Sequence, residues 1–276
     1  RRDFDQSVEA FKRLHAAAPD DMQPLVSLVR AYLLAGKRND AQNFLASVLK
    51  ASPDNTTARL LQGQVYSAGG ETEKAAQAFQ QVIAKEPRSP AGYLNLANLY
   101  AHDRRYQQAD KVVREGLAVA PNDFGLRLAL AGVTEMLGRY DDAIRLNEEL
   151  LAKYPNSEIV ANNLASLLSD RRNDEASLKR AYELAQRFQR SDVPQFKDTF
   201  GWAAYRAGKT AEAVGPLEKA TALMPDVAVF HYHLGMVYAS RGNKDGARRE
   251  LQKSLELAKR EPFPEAERAQ AALNGL

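Results

Sequence analysis

Apolar side chains return along the chain in a fixed order: Leu28, Tyr32 and Leu45, then Tyr66 and Phe79, then Leu96 and Tyr100, and later Leu234, Tyr238 and Leu251. Punctuation residues repeat in the same frame. Pro19, Pro53, Pro87, Pro121 and Pro155 stand 34 residues apart. Small residues follow suit at Ala41, Ala75, Ala109 and Ala143, then Ala213 and Ala247, and a third series runs Gly36, Gly70, Gly138, Gly208, Gly242. Such a lattice predicts one helix-turn-helix unit stacked many times, each burying its apolar face on its neighbours.

Each column has a physical role. The alanine belongs on the second helix of a unit, where two helices cross too closely for a larger side chain. The glycine marks the turn between helices, where a left-handed backbone is cheap only without a Cβ. The proline stops the second helix, because it has no N–H to donate and clashes with the preceding turn. Asp or Asn after it, as in Pro53-Asp54-Asn55, Pro121-Asn122-Asp123 and Pro155-Asn156, can cap the next helix.

The predicted fold is all-α: a right-handed superhelix of about sixteen antiparallel helices. The single array over 1–276 divides into a half repeat at 1–21, full repeats at 22–55, 56–89, 90–123, 124–157, 158–193, 194–227 and 228–261, and a capping helix within 262–276. The repeat at 158–193 is irregular. After Pro155 the next stop proline is Pro225, 70 residues later, two more than two periods. Arg171-Arg172-Asn173-Asp174 replaces the glycine turn, and Ala181 fills the small column four residues late. A lengthened helix or turn is expected there, with shortening before Pro194. Residues 1–18 match only a second helix, which suggests an array cut from a longer one. At the other end, Glu261-Pro262-Phe263-Pro264 leads into a short helix over 265–273, of the kind a solenoid needs to cover its last apolar face.

These columns, with the small residue at Gly63, Ala97, Ala131, Ala165, Gly201 and Gly235 and the tyrosine three places later at Tyr66, Tyr100 and Tyr238, resemble the tetratricopeptide repeat (TPR). The resemblance covers nearly the whole chain. It implies an α-solenoid that binds protein or peptide partners. Asn162-Asn163-Leu164-Ala165, Asp198-Thr199-Phe200-Gly201-Trp202, His231-Tyr232-His233-Leu234-Gly235 and Phe263-Pro264-Glu265-Ala266 further resemble bacterial TPR lipoproteins of exopolysaccharide and PEP-CTERM systems. That narrower likeness implies an envelope protein, periplasmic or associated with the outer membrane, anchored by an upstream lipidated cysteine.

Composition narrows the chemistry. The 38 basic and 35 acidic residues leave a net charge of +3 and no run of five like charges, so a basic patch for nucleic acid is not expected. No apolar stretch approaches the roughly 18 residues that cross a bilayer, so direct membrane insertion is not expected. Cysteine is absent, which removes disulfides, thiolate metal sites and a cysteine nucleophile. There is no phosphate loop, no Gly-x-Ser-x-Gly and no His-Glu-x-x-His. No catalytic residue, metal or cofactor is assigned. His231-x-His233 sits on a helix, where residues two apart face different sides, so one imidazole is expected in the packing and the other in the groove.

A solenoid of this kind presents its first helices on the concave face. The candidate partner-binding residues there are Asn95, Asn98, His102, Asn162, Asn163, Asp198, Trp202, Tyr205, Arg206, Tyr232 and His233. Asparagine amides offer donors and an acceptor and can hold a peptide backbone whatever its sequence, although they can equally tie neighbouring helices together. Trp202, Tyr205 and Tyr232 with Arg206 form the kind of set that supplies binding hot spots, against a packing role for Trp202. The two-lysine clamp by which some TPR proteins grip a C-terminal carboxylate is not matched, since Leu94 stands where the lysine belongs. The expected function is a non-enzymatic scaffold that holds a partner segment in its groove. The alternatives are a cytoplasmic adaptor, the substrate-recognition arm of a larger enzyme, and self-association.

Overall fold

The computed structural model describes residues 2–18 and 21–276; Pro19, the first proline of the lattice, lies outside the described residues. Among the described residues there are sixteen α-helices and no strand. They fall into two compact units, Arg1–Ala143 and Ile144–Leu276.

The first unit holds α1 (Arg2–Ala17), α2 (Met22–Leu34), α3 (Arg38–Ala51), α4 (Thr56–Ala68), α5 (Thr72–Lys85), α6 (Pro90–His102), α7 (Tyr106–Val119) and α8 (Phe124–Met136). The boundary then falls within α9 (Tyr140–Lys153). The second unit continues with α10 (Glu158–Arg171), α11 (Glu175–Ala185), a 3-10 turn (Gln186–Phe188), α12 (Pro194–Arg206), α13 (Thr210–Leu223), α14 (Ala228–Ser240), α15 (Lys244–Ala258) and α16 (Ala266–Asn274).

The punctuation works as its chemistry requires. Gly36, Gly70, Gly138, Gly208 and Gly242 all take positive φ, between 71° and 77°, and reverse the chain after a first helix. The third repeat has no glycine there, and Arg104 takes the left-handed conformation instead, at φ 58°. The side chains of Asn55, Asp123 and Ser157 accept from Ala58, Leu126 and Val160 N–H and so cap α4, α8 and α10. After Pro155 the capping side chain is thus Ser157, not Asn156. The column alanines Ala41, Ala75, Ala109, Ala143, Ala181, Ala213 and Ala247 are fully buried. A Cβ added to Gly63 or Gly201 would come within 2.4 Å of Phe79 or 2.6 Å of Leu217, so the second helix lies directly against the missing side chain.

In the first unit α2, α4, α6 and α8 touch one another in order, as do α10, α12 and α14 in the second, while the second helices pack chiefly on the first helices on either side. The first helices therefore form the inner row of each unit. The irregular repeat gains its extra residues in two places. Helix α10 runs 14 residues where the other first helices run 13, and the connector 189–193 has five residues where 52–55 has four, so the stretch before Pro194 is lengthened and not shortened as expected; between them α11, of 11 residues, is completed to the usual 14 by the 3-10 turn. That turn buries Phe188, which stacks on Phe196 with ring centres 4.5 Å apart.

Candidate partner-binding site

On the inner face of the first unit, Asn98 and His102 are exposed, one helical turn apart on α6. Asn95 is half-buried and already bonded: its Oδ1 accepts from Gln64 Nε2 on α4 at 3.0 Å and its Nδ2 donates to Ala91 O at 2.9 Å. This amide ties adjacent repeats together, which leaves Asn98 as the amide open to a ligand. Beside these residues runs an apolar row that the sequence reading did not single out. Leu60, Leu94 and Leu128 are all partly exposed and recur at the 34-residue spacing of the lattice. Leu60 shares a helix face with Gln64, and Leu94 with Asn98, because residues four apart lie one above the other. The row ends beside Gly132, where an added Cβ would meet nothing within 4 Å. The signal that reveals it is the spacing of 26, 60, 94 and 128, the same lattice as the prolines.

The second unit differs. Asp198, Trp202, Tyr232 and His233 are only 5%, 4%, 2% and 3% exposed, so they do not line an open groove as expected. Both His231 and His233 are in the packing. His231 Nδ1 lies 2.7 Å from Glu250 Oε2, while His233 Nδ1 lies 3.0 Å from both oxygens of Asp198. The His233 ring stacks on Trp202. The Trp202 indole N–H donates to Asp170 Oδ1 at 2.7 Å, and Ser166 Oγ donates to the other oxygen of Asp170 at 3.2 Å. The physical reason for the burial is electrostatic as much as apolar. An indole N–H and an imidazole inside a protein need acceptors, and Asp170 and Asp198 supply them from α10 and α12.

Arg206 also has structural work. It donates to the carbonyls of Ser169 and Arg172 and, at 2.7 Å, to Asn173 Oδ1. Those are the carbonyls that the end of α10 leaves without intrahelical partners. The glycine-free turn is therefore capped from the next repeat, and Arg172 leaves the helix in an extended conformation at φ −118° and ψ 152°. Asn162 and Asn163 are half-buried on α10, and the enclosed Oδ1 of Asn162 has no hydrogen-bond partner. Tyr205 is half-buried against Trp202, with ring centres 5.3 Å apart.

The structure brings Trp202, Tyr205, Arg206, Tyr232, His233 and Asp198 into one cluster in the second unit, with Asn95, Asn98 and His102 on the first. It also places Glu265, just before α16, in the second cluster. The Glu265 carboxylate Oε1 lies 2.9 Å from Arg171 Nη1 on α10, although no aligned hydrogen bond reaches that oxygen. Phe263 rests on Tyr232, with ring centres 6.0 Å apart. Among the described residues no group of three or more His, Cys, Asp or Glu is placed to hold a metal ion, and no helix is long and apolar enough to cross a membrane.

Two family models, both described as tetratricopeptide repeat, match residues 1–65, 66–131 and 199–267. No curated protein is similar enough in sequence to count as a relative. Among solved structures the chain is similar to a chain of the APC/C hetero-tetramer Cut9-Hcn1, with a TM-score of 0.72 at 15% identity, over 99% of this chain and 52% of that one. It is also similar to yeast Tom70, with a TM-score of 0.57 at 17% identity, over 99% and 59%. A third similar structure is a tetratricopeptide repeat protein from Parabacteroides merdae, with a TM-score of 0.53 at 19% identity, over 99% and 91%. The chain thus spans about half the length of the first of these and less than two thirds of the second. At such identities the likeness carries the fold.

Proposed function

Because this chain belongs to the tetratricopeptide repeat family, a family of protein-interaction scaffolds, we propose that it holds a partner segment along the inner row of first helices in its first unit. The observation that carries this reading is the ladder of Leu60, Leu94 and Leu128, beside Asn98, His102 and the open space at Gly132. Apolar surface left half-open at every repeat costs solubility and is retained where a partner covers it. Covering the exposed part of each leucine contributes about 1 kcal/mol. The Asn98 amide adds a donor and an acceptor for the backbone of the bound segment, and the scaffold is ordered before binding, which keeps the entropic cost on the partner's side.

This is a binding function without catalysis. A setting in a bacterial envelope or exopolysaccharide assembly rests on the sequence likeness of the C-terminal third. The groove chemistry would serve a cytoplasmic adaptor or the recognition arm of a larger enzyme equally well.

The test is selection of displayed random peptides on the immobilised chain, followed by anisotropy titration of the selected peptides against Leu94→Asp and Asn98→Ala. The expected outcome is a loss of about tenfold or more with Leu94→Asp, with helical content unchanged. Selected peptides that bind both variants as well as the native chain would place the site elsewhere.

A further inference from the structure

The inner face of the second unit is already covered, and the cover is part of the chain itself. Residues 261–265, Glu-Pro-Phe-Pro-Glu, leave α15 and turn back across the first helices before α16 begins. Phe263 lies on Tyr232 of α14, and Glu265 reaches Arg171 of α10, so the segment spans the row from the last repeat to the irregular one. Trp202 of α12 and His233 of α14 lie in the same buried cluster.

The contacts are those of a bound peptide more than of a packed helix. Pro262 and Pro264 fix two φ angles and remove two backbone donors, which lowers the entropy of ordering the segment, and it closes in a turn where Ala266 N–H donates to Phe263 O. One aromatic ring occupies an aromatic surface. One carboxylate sits against a guanidinium, and both are largely buried. Yet the fit is incomplete. Glu265 Oε1 has no aligned donor, and His233 Nε2, buried on a ring only 3% exposed, has no hydrogen-bond partner. A helix cap that served packing alone would have no use for a buried carboxylate oxygen held by an ion pair without an aligned hydrogen bond, because burying it carries a desolvation cost.

We propose that residues 261–265 are an internal occupant of a carboxylate-reading groove formed by α10, α12 and α14, and that a partner chain enters by displacing them with an acidic, proline-flanked aromatic segment of its own. Arg171 reads the carboxylate, Tyr232 receives the aromatic ring, and His233 Nε2 donates to the incoming carboxylate as it does not to Glu265. The inference rests on the reading that the inner row takes extended segments, and it adds a second groove with a stated ligand chemistry and a built-in competitor.

The experiment uses a fluorescein-labelled peptide copying residues 259–267, titrated by anisotropy into the native chain and three variants of it. In the native chain the internal segment outcompetes it. In Phe263→Ser/Glu265→Gln the groove is vacated, and the peptide binds at least about tenfold more tightly than to the native chain. Adding Arg171→Gln to that variant removes the gain. A second variant, Pro262→Gly/Pro264→Gly, keeps every contact side chain but loosens the segment, and it binds the peptide with intermediate affinity. The emission of Trp202, the one tryptophan, shifts on titration, because its ring lies in the groove cluster. The proposal is overturned if either connector variant retains native helicity and binds the peptide no better than the native chain does. If that happens while displayed peptides still depend on Leu94, only the internal-occupant proposal fails; if Leu94 also has no effect, the inner-row reading fails with it.

Discussion

The imidazole of His233 lies flat on the indole of Trp202, with ring centres 4.1 Å apart and planes 13° from parallel. Its Nδ1 is bound by Asp198, and Asp170 stands 3.9 Å from its other nitrogen. Burial alone would push the imidazole down, but Asp198, Asp170 and Glu265 around it raise it above the ordinary 6.5. Burial also pushes the Asp198 carboxyl up, against the pull of His233. Folded, the pair therefore holds its proton to a higher pH than the unfolded chain does. The raised imidazolium contributes stability that is complete below pH 6.5 and is lost as pH rises through the folded value. Urea unfolding followed by Trp202 emission is expected to show a midpoint that falls as pH rises above 6.5, and His233→Gln is expected to flatten that slope. A flat profile in the native chain would remove the charged pair from the account.

Arg206 closes the end of α10 from the neighbouring repeat, by bonds to Ser169 O, Arg172 O and Asn173 Oδ1. Removing it leaves half-buried carbonyls without donors. Arg206→Ala is expected to lower the stability of the second unit by about 2–3 kcal/mol. Arg206→Lys should restore less than half of this, because one ammonium cannot fork to three acceptors. Denaturation read by Trp202 fluorescence decides it. A cost below about 0.5 kcal/mol would show that water caps the turn instead.

What the sequence made legible was whatever depends on one residue meeting a local demand. The buried alanines at Ala41 or Ala213, the positive-φ glycines and the helix starts at Thr56 or Pro194 follow from sterics that any single repeat displays. The fate of Trp202, Tyr232 and His233 was not legible in the same way. Their burial depends on Glu265 and Phe263 returning across the unit to Arg171 and Tyr232, a long-range contact that no periodicity announces. The capping role of Arg206 was hidden for a related reason. An arginine at that place on a first helix looks like a groove residue until the missing glycine one repeat earlier creates carbonyls for it to cap. The leucine row at Leu60, Leu94 and Leu128 was in plain view as a spacing, but leucines in a helix read as core until their partial exposure is known.

Arg104 occupies a glycine column in a left-handed conformation, at φ 58°. For a residue with a Cβ this costs about 1 kcal/mol or more, and glycine removes it. The side chain is exposed, so little packing is lost. Arg104→Gly is therefore expected to stabilise the first unit by about 1 kcal/mol, against the usual sign for a substitution to glycine. Thermal unfolding measures this, and a lowered melting temperature would show that the arginine contributes more through its side chain than its backbone loses.

Gly132 lies in the middle of α8, where glycine costs roughly 1 kcal/mol relative to alanine. Its φ is not positive, and an added Cβ would touch nothing, so neither turn geometry nor close packing calls for it. It shares a face with Leu128 and with the exposed Met136, at the end of the leucine row. A bare backbone there leaves room for the bound segment proposed above. Two substitutions separate stability from room. Gly132→Ala should raise the melting temperature, since it restores helix propensity into empty space. Gly132→Trp should leave the free chain folded, because the bulk projects into that same space, yet weaken displayed-peptide binding by about tenfold or more through exclusion of the ligand. Equal peptide affinity for Gly132→Trp and the native chain would mean that the ligand passes elsewhere on the row, and that Gly132 carries a cost in helix stability without a return in binding.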